Sequence, residues 1–226
     1  MVAHHSLEGW NSSFWAEIDG QRMHYQKAGS GPPLLLIHGL LGGSFCWRFN
    51  IAGLGARRTI YAVDLPGQGL SDAPSRTDCG MRAQARRIAQ FMDANQLGEV
   101  DVAASSWGGA IGLLLAAADA RVRSMVLAAP VNPWSEYGRD RVRFFSSWLG
   151  ALAIRFGLPF SGRLQREGLE AMYGDPARIR PGTVEGYSAL LRRRGRGVNL
   201  INIMRCWEHD LNALRDAIHR VQAPTL

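Results

Sequence analysis

With 46% of its 226 residues hydrophobic and 20% charged, the chain has the composition of an ordinary globular protein, which excludes disordered and fibrous classes. No run approaches the roughly 18 apolar residues a spanning helix needs, and Met1 to Ser13 lacks the basic start and apolar stretch of a secretory leader, so a cytoplasmic location is expected. The formal charge of +7 raises nucleic acid as a partner, but the densest basic group, Arg192-Arg193-Arg194-Gly195-Arg196, has no interleaved aromatics and reads as a solvated surface. Cys46, Cys79 and Cys206 are too scattered for a disulfide framework or metal cluster; unpaired thiols, no metal and no cofactor are expected.

In chain order, Phe14 to Ile18 and Arg22 to Gln26 read as two strands joined by an Asp19-Gly20 hairpin turn. Pro33 to His38, Thr59 to Val63, Val100 to Ala104 and Ser124 to Ala128 are short apolar runs of the kind buried on both faces. Met81 to Gln96 has helical spacing through Ala85, Ile88, Ala89 and Met92, and Trp107 to Ala120 is small, apolar and helix-favouring. This alternation predicts an α/β chain with a mostly parallel, doubly wound sheet. After Pro130 the strands stop and helices with Gly and Pro breaks take over. There Phe145, Trp148, Leu149, Leu152 and Phe156 share one helical face flanked by arginines, and that stripe is expected to pack on the core; docking on a membrane is the alternative. Trp207 to Arg220 resumes helical spacing, and Pro224-Thr225-Leu226 reads as the start of another strand. The division expected is a core over 14–133, a helical cap over 134–206 and a return to the core over 207–226.

The most specific signal is Val102-Ala103-Ala104-Ser105-Ser106-Trp107-Gly108-Gly109, between a predicted strand and a predicted helix. A nucleophile elbow needs that context, because a sharp strand-to-helix turn exposes the serine hydroxyl above the sheet. Residues two before and two after the serine must be small, as Ala104 and Gly108 are for Ser106. Ser105 would have Trp107 at that spacing, so the nucleophile assignment goes to Ser106 on steric grounds. His38-Gly39-Leu40-Leu41-Gly42-Gly43 follows a buried strand, and the N–H groups of Leu40 and Trp107 would form a two-donor oxyanion hole. His38 is expected to shape its loop and not to act as a base. Asp64, in Val63-Asp64-Leu65-Pro66-Gly67-Gln68-Gly69-Leu70-Ser71-Asp72, is expected to hydrogen-bond its own loop amides.

The HGLLGG loop, the VDLPGQGLSD loop, the SSWGG elbow and the helical insertion after MVLAAP resemble, in that order, the α/β-hydrolase superfamily with a cap domain. The resemblance implies a hydrolase working through an acyl-enzyme on Ser106. A serine at that position argues against the haloalkane dehalogenase and epoxide hydrolase branches, which use a carboxylate. The expected substrate is a small molecule, an apolar carboxylic ester, with no nucleic-acid partner, no transmembrane segment and no inference about oligomeric state. The resemblance also places a catalytic acid and a histidine beyond the segment matching Ala223-Pro224-Thr225-Leu226. Neither is in this chain, which is therefore expected to be truncated and weakly active or inactive, although Glu136 could substitute as the acid. His4, His5, His24, His209 and His219 occupy no family-like position. A non-catalytic ligand-binding or interaction relative is the alternative.

Overall fold

The computed structural model describes residues 13–157 and 161–226. The reading of Met1 to Ser13 as free of a leader lies almost wholly outside them, as do His4 and His5. Strands β1 (Ser13–Ile18) and β2 (Gln21–Ala28) form the expected hairpin. Asp19 and Gly20 have φ of 55° and 69°, the left-handed pair that a two-residue turn requires if its twist is to match the strands. With β3 (Pro33–Ile37), β4 (Thr59–Val63), β5 (Val100–Ser105) and β6 (Val122–Ala128), they make one sheet of order β1-β2-β4-β3-β5-β6. The hairpin joins antiparallel; β4, β3, β5 and β6 run parallel.

Side chains of the central strands alternate between two cores. Leu34 and Leu36 pack with Ile51, Ile60 and Ala62 on the side of α1 (Ile51–Gly55). Leu35, Ile37, Val63, Val102 and Ala104 lie in the core shared with α2 (Met81–Ala94) and α3 (Trp107–Ala116). Cover on both faces explains why these strands read as unbroken apolar runs. Helix α3 is buried along nine of its ten residues, which is why its segment shows no polar face. Beyond β6, the chain returns and Thr225 bridges Met125 in parallel, with Leu127 N–H donating to the Leu226 carbonyl at 2.7 Å. The expected strand start is there.

The segment after Pro130 forms α4 (Arg139–Ser146), α5 (Trp148–Leu152), a π turn (Ala153–Gly157), α6 (Gly162–Tyr173) and α7 (Thr183–Leu191). Helix α8 (Arg196–Ala217) runs unbroken through position 206 and buries Leu200, Ile203, Met204, Leu211 and Leu214. The expectation that the Phe145 to Phe156 stripe packs inward is overturned. Trp148, Leu149, Leu152 and Phe156 are 70%, 53%, 49% and 64% exposed, and only Phe145 of the five is partly buried against the core. The reason is local: Ser147 is extended (φ −73°, ψ 167°) and its hydroxyl accepts from Gly150 N–H, ending α4 and starting α5 on a new axis. Val142, Ala151 and Ile154 turn inward instead.

Asp210 ties α8 to the start of α2 by accepting from Met81 N–H at 2.9 Å. Burial pushes its carboxyl up to about 6, against the opposing pull of that amide. Because the folded value lies above the unfolded one, the stability this group contributes is complete at low pH and is lost as pH rises through about 6. Asp210→Asn is therefore expected to raise the melting temperature near neutral pH, a gain of about 3 kcal/mol, and to leave the melt near pH 4 unchanged. A difference between the two proteins that is the same at both pH values would contradict this.

Candidate functional site

At the end of β5 the backbone turns sharply into α3 through Ser106, which has φ 52° and ψ −120°. A residue with a Cβ holds that conformation only when its surroundings over-determine it. They do: Ser106 N–H donates to the Ala128 carbonyl at 2.9 Å, and its own carbonyl accepts from Gly109 at 2.9 Å and Val131 at 3.0 Å. Ser106 is exposed while Ala104 and Trp107 on either side are buried. The small-residue requirement is visible at Gly108, where an added Cβ would sit 2.3 Å from the His38 carbonyl oxygen. Ser105 stays in the ladder opposite Ala128.

The loop after β3 lies directly against this serine. A Cβ placed on Gly39 would be 3.2 Å from Ser106 Cβ and 3.7 Å from its Oγ. Residues Gly39 to Gly42 form a turn closed by Gly42 N–H donating to the Gly39 carbonyl at 3.1 Å, with Leu41 at φ 62°. That bond uses the Gly42 amide, not that of Leu40. Trp107 is the first residue of α3, and the first N–H groups of a helix have no acceptor within it. The structure thus places Leu40 and Trp107 each one residue from the contact between Gly39 and Ser106.

His38 is fully buried. Leu65 N–H donates to its Nε2 at 3.0 Å, so that nitrogen is the acceptor and Nδ1 carries the proton, which it donates to the Gly39 carbonyl at 2.7 Å. Burial holds its pKa below the ordinary range, with Asp64 opposing. Both nitrogens being occupied, His38 shapes the loop as expected and has no lone pair for Ser106. Asp64 has a wider role than its own loop. Its carboxylate accepts from Leu70 N–H at 2.7 Å, from His24 Nδ1 at 2.8 Å and from Ser44 N–H in the neighbouring loop. Burial raises its pKa, but the His24 and Ser44 hydrogen bonds outweigh that and hold it below the ordinary carboxylate range.

The reading of the arginine cluster as solvated surface needs one correction. Arg193 and Arg194 are exposed, but Arg196 is only 7% exposed and donates to the carbonyls of Gly69 at 2.8 Å and Ser71 at 2.6 Å. Burial, and secondarily Arg193, lowers its pKa to about 10. It ties α8 to the loop that Asp64 organises. Composition hides this role, because a buried arginine looks like its exposed neighbours until its carbonyl partners are known. Beside it a small cavity is lined by Leu40, Leu41, Gln68, Leu190 and Leu200 as well as Arg196.

The other candidates are not brought to Ser106. Glu136 is exposed and pairs with Arg139 at 3.4 Å. His24 is buried between Asp64 and Ser13, and His209 and His219 are exposed along and after α8. Among the described residues, none hydrogen-bonds to the Ser106 hydroxyl, and no three metal-ligating side chains cluster. No helix among them is long and apolar enough to cross a membrane.

The family described as alpha/beta hydrolase fold matches residues 32–164, which takes in the turn, the loop of Asp64 and the elbow. The chain is 36% identical over 120 residues to the dihydrolipoyllysine-residue acetyltransferase component of the acetoin cleaving system of Cupriavidus necator, covering 52% of this chain and 32% of that protein. It is 37% identical over 123 residues to haloalkane dehalogenase 2 of Mycobacterium tuberculosis, covering 54% of this chain and 42% of that protein. The matches thus span less than half the length of these curated relatives. Among solved structures, the epoxide hydrolase CorEH superposes with a TM-score of 0.78 at 20% identity, over 95% of this chain and 88% of that one. An alpha/beta hydrolase fold protein from Burkholderia ambifaria superposes at 0.77 with 23% identity, over 98% and 80%. Fold, loop order and family match agree, and the chain belongs to the alpha/beta hydrolase fold family.

Proposed function

We propose that the chain carries the nucleophile and oxyanion hole of a serine hydrolase that cleaves carboxylic esters. The observation that supports this most is the backbone of Ser106: a strained, exposed serine between a buried strand and a buried helix, pressed against the Gly39–Gly42 turn. In the proposed reaction Ser106 Oγ attacks the ester carbonyl, and the charge that develops on the carbonyl oxygen is received by the N–H groups of Leu40 and Trp107. The alcohol leaves, and water hydrolyses the acyl-enzyme. The leucines lining the cavity beside the Leu40–Leu41 turn favour an apolar acyl group. The helical segment over 134–206 is proposed as the cap of this site.

A serine hydroxyl needs a base, and His24 and His38 have both ring nitrogens engaged elsewhere. The proposal therefore assigns the base and its acid partner to residues other than those described, and loss of such a base costs several orders of magnitude in rate. The names of the dehalogenase and epoxide hydrolase relatives do not favour those reactions here, because Ser106 stands where those branches use a carboxylate.

The test compares hydrolysis of p-nitrophenyl butanoate by this chain and by this chain fused to the C-terminal segment of a relative that supplies acid and histidine. The fusion is expected to turn over the ester and to lose about a thousandfold or more in rate with Ser106→Ala, while the unfused chain stays close to background. Turnover by the fusion that is indifferent to Ser106→Ala would overturn the reading.

A further inference from the structure

The stripe expected to face the core faces out, and its chemistry identifies what it meets. Trp148 and Leu152 on α5 and Phe156 in the π turn are 70%, 49% and 64% exposed, and Phe144 near the end of α4 is 50% exposed. Aromatic rings of this kind, arrayed on helical turns, fit the boundary between lipid headgroups and acyl chains. The charges around the stripe leave arginine in excess. Asp140 is answered by Arg143 at 3.2 Å, and Arg139 is answered by Glu136 and Glu208. Arg141 and Arg155 are exposed and have no acidic partner among the described residues, and the Arg155 guanidinium lies 5.7 Å from the Phe156 ring centroid. The start of α8 packs on the same segment: a Cβ on Gly197 would be 3.9 Å from Arg155 Cα. Arg193 and Arg194, which precede α8, line a separate recess with Ser71, Asp72 and Ala73. Among the described residues, Arg141 on α4 and Arg155 in the π turn are therefore the unpaired cations on the segments that carry the aromatic stripe.

We propose that this face docks on an anionic lipid surface, with Trp148, Leu152 and Phe156 entering the interface and Arg141 and Arg155 meeting the headgroups. A second copy of the chain fits less well, because a two-fold dimer through this patch would bring its uncompensated arginines against their own copies. A neutral bilayer would satisfy the aromatics and leave the arginines unanswered.

Co-sedimentation with vesicles tests this, using phosphatidylcholine alone and phosphatidylcholine with about one-third phosphatidylglycerol, at low and high salt. The chain is expected to bind the anionic vesicles at least about tenfold more tightly than the neutral ones, and less tightly in high salt. Trp148→Ser with Phe156→Ser is expected to abolish binding with the melting temperature unchanged, since both side chains are exposed. Arg141→Gln with Arg155→Gln is expected to remove the preference for anionic lipid. The proposal is overturned if the chain ignores anionic vesicles, or if the aromatic variant binds them as well as the parent. It is also overturned if sedimentation velocity shows a dimer that the aromatic variant dissociates, which would make the second copy the occupant.

Discussion

Gly108→Ala is expected to lower stability by about 3 kcal/mol and to abolish any reactivity of Ser106. The added methyl would stand 2.3 Å from the His38 carbonyl oxygen and 2.8 Å from that of Ile37. Both are backbone atoms at the end of the central strand β3, whose neighbours on either side are β4 and β5. Neither can swing away as a side chain would, so α3 must lift from the sheet or the turn after β3 must move. Either shift separates Gly39 from Ser106. Gly112→Ala, one turn further along α3, is the matched control. There the new methyl would meet only Ala104 Cβ and Val102 Cγ1, both at 3.6 Å, which is ordinary contact, and helix propensity favours alanine by up to about 1 kcal/mol. Thermal melts of the two variants are expected to diverge in opposite directions from the parent. A Gly108→Ala protein that melts with the parent would show that the elbow is not packed as described.

Asp64→Ala is expected to cost about 3 to 5 kcal/mol, because it removes the acceptor shared by two loops. Ser44 N–H, Leu70 N–H and His24 Nδ1 would be left buried without a partner. No water reaches them easily, since Asp64 and His24 are almost wholly buried. The glycine at position 69 belongs to the same arrangement: its φ is +54°, and a Cβ there would lie 2.3 Å from the Asp64 Cγ. The pH dependence has a definite sign. The folded pKa of Asp64 is depressed, so its contribution is present above the unfolded carboxylate value and is lost as pH falls through the folded one. The melting-temperature gap between parent and Asp64→Asn is therefore expected to narrow on acidification. A gap that widens would mean that the carboxyl is held protonated in the fold.

Most of the sheet could be read from the sequence because its signals are local. Thr59 to Val63 and Pro33 to Ile37 are apolar on both faces, and the Asp19-Gly20 pair admits few alternatives to a tight turn. The elbow could be read for a related reason, since its constraint is steric and is written in Ala104 and Gly108. Helix ends were less legible: α2 stops at Ala94, before Gln96 at φ 53°, and α3 stops at Ala116, short of the predicted Ala120. The outward turn of Trp148 and Phe156 was not legible, because helical spacing fixes only which residues share a face. The direction of that face is set by the break at Ser147, a residue that spacing alone treats as one more helical position. The reach of Asp64 to Ser44, and of Arg196 to Gly69 and Ser71, is likewise tertiary. No local pattern announces a carbonyl or amide partner that lies 20 or 127 residues away.

The central claim, that Ser106 is the nucleophile, is tested most directly by incubating the fusion that supplies acid and histidine with an activated fluorophosphonate and locating the adduct by peptide mass spectrometry. The expected result is a single adduct on Ser106, lost in Ser106→Ala and retained in Ser105→Ala. An adduct on another residue, or labelling that survives Ser106→Ala undiminished, would contradict the account.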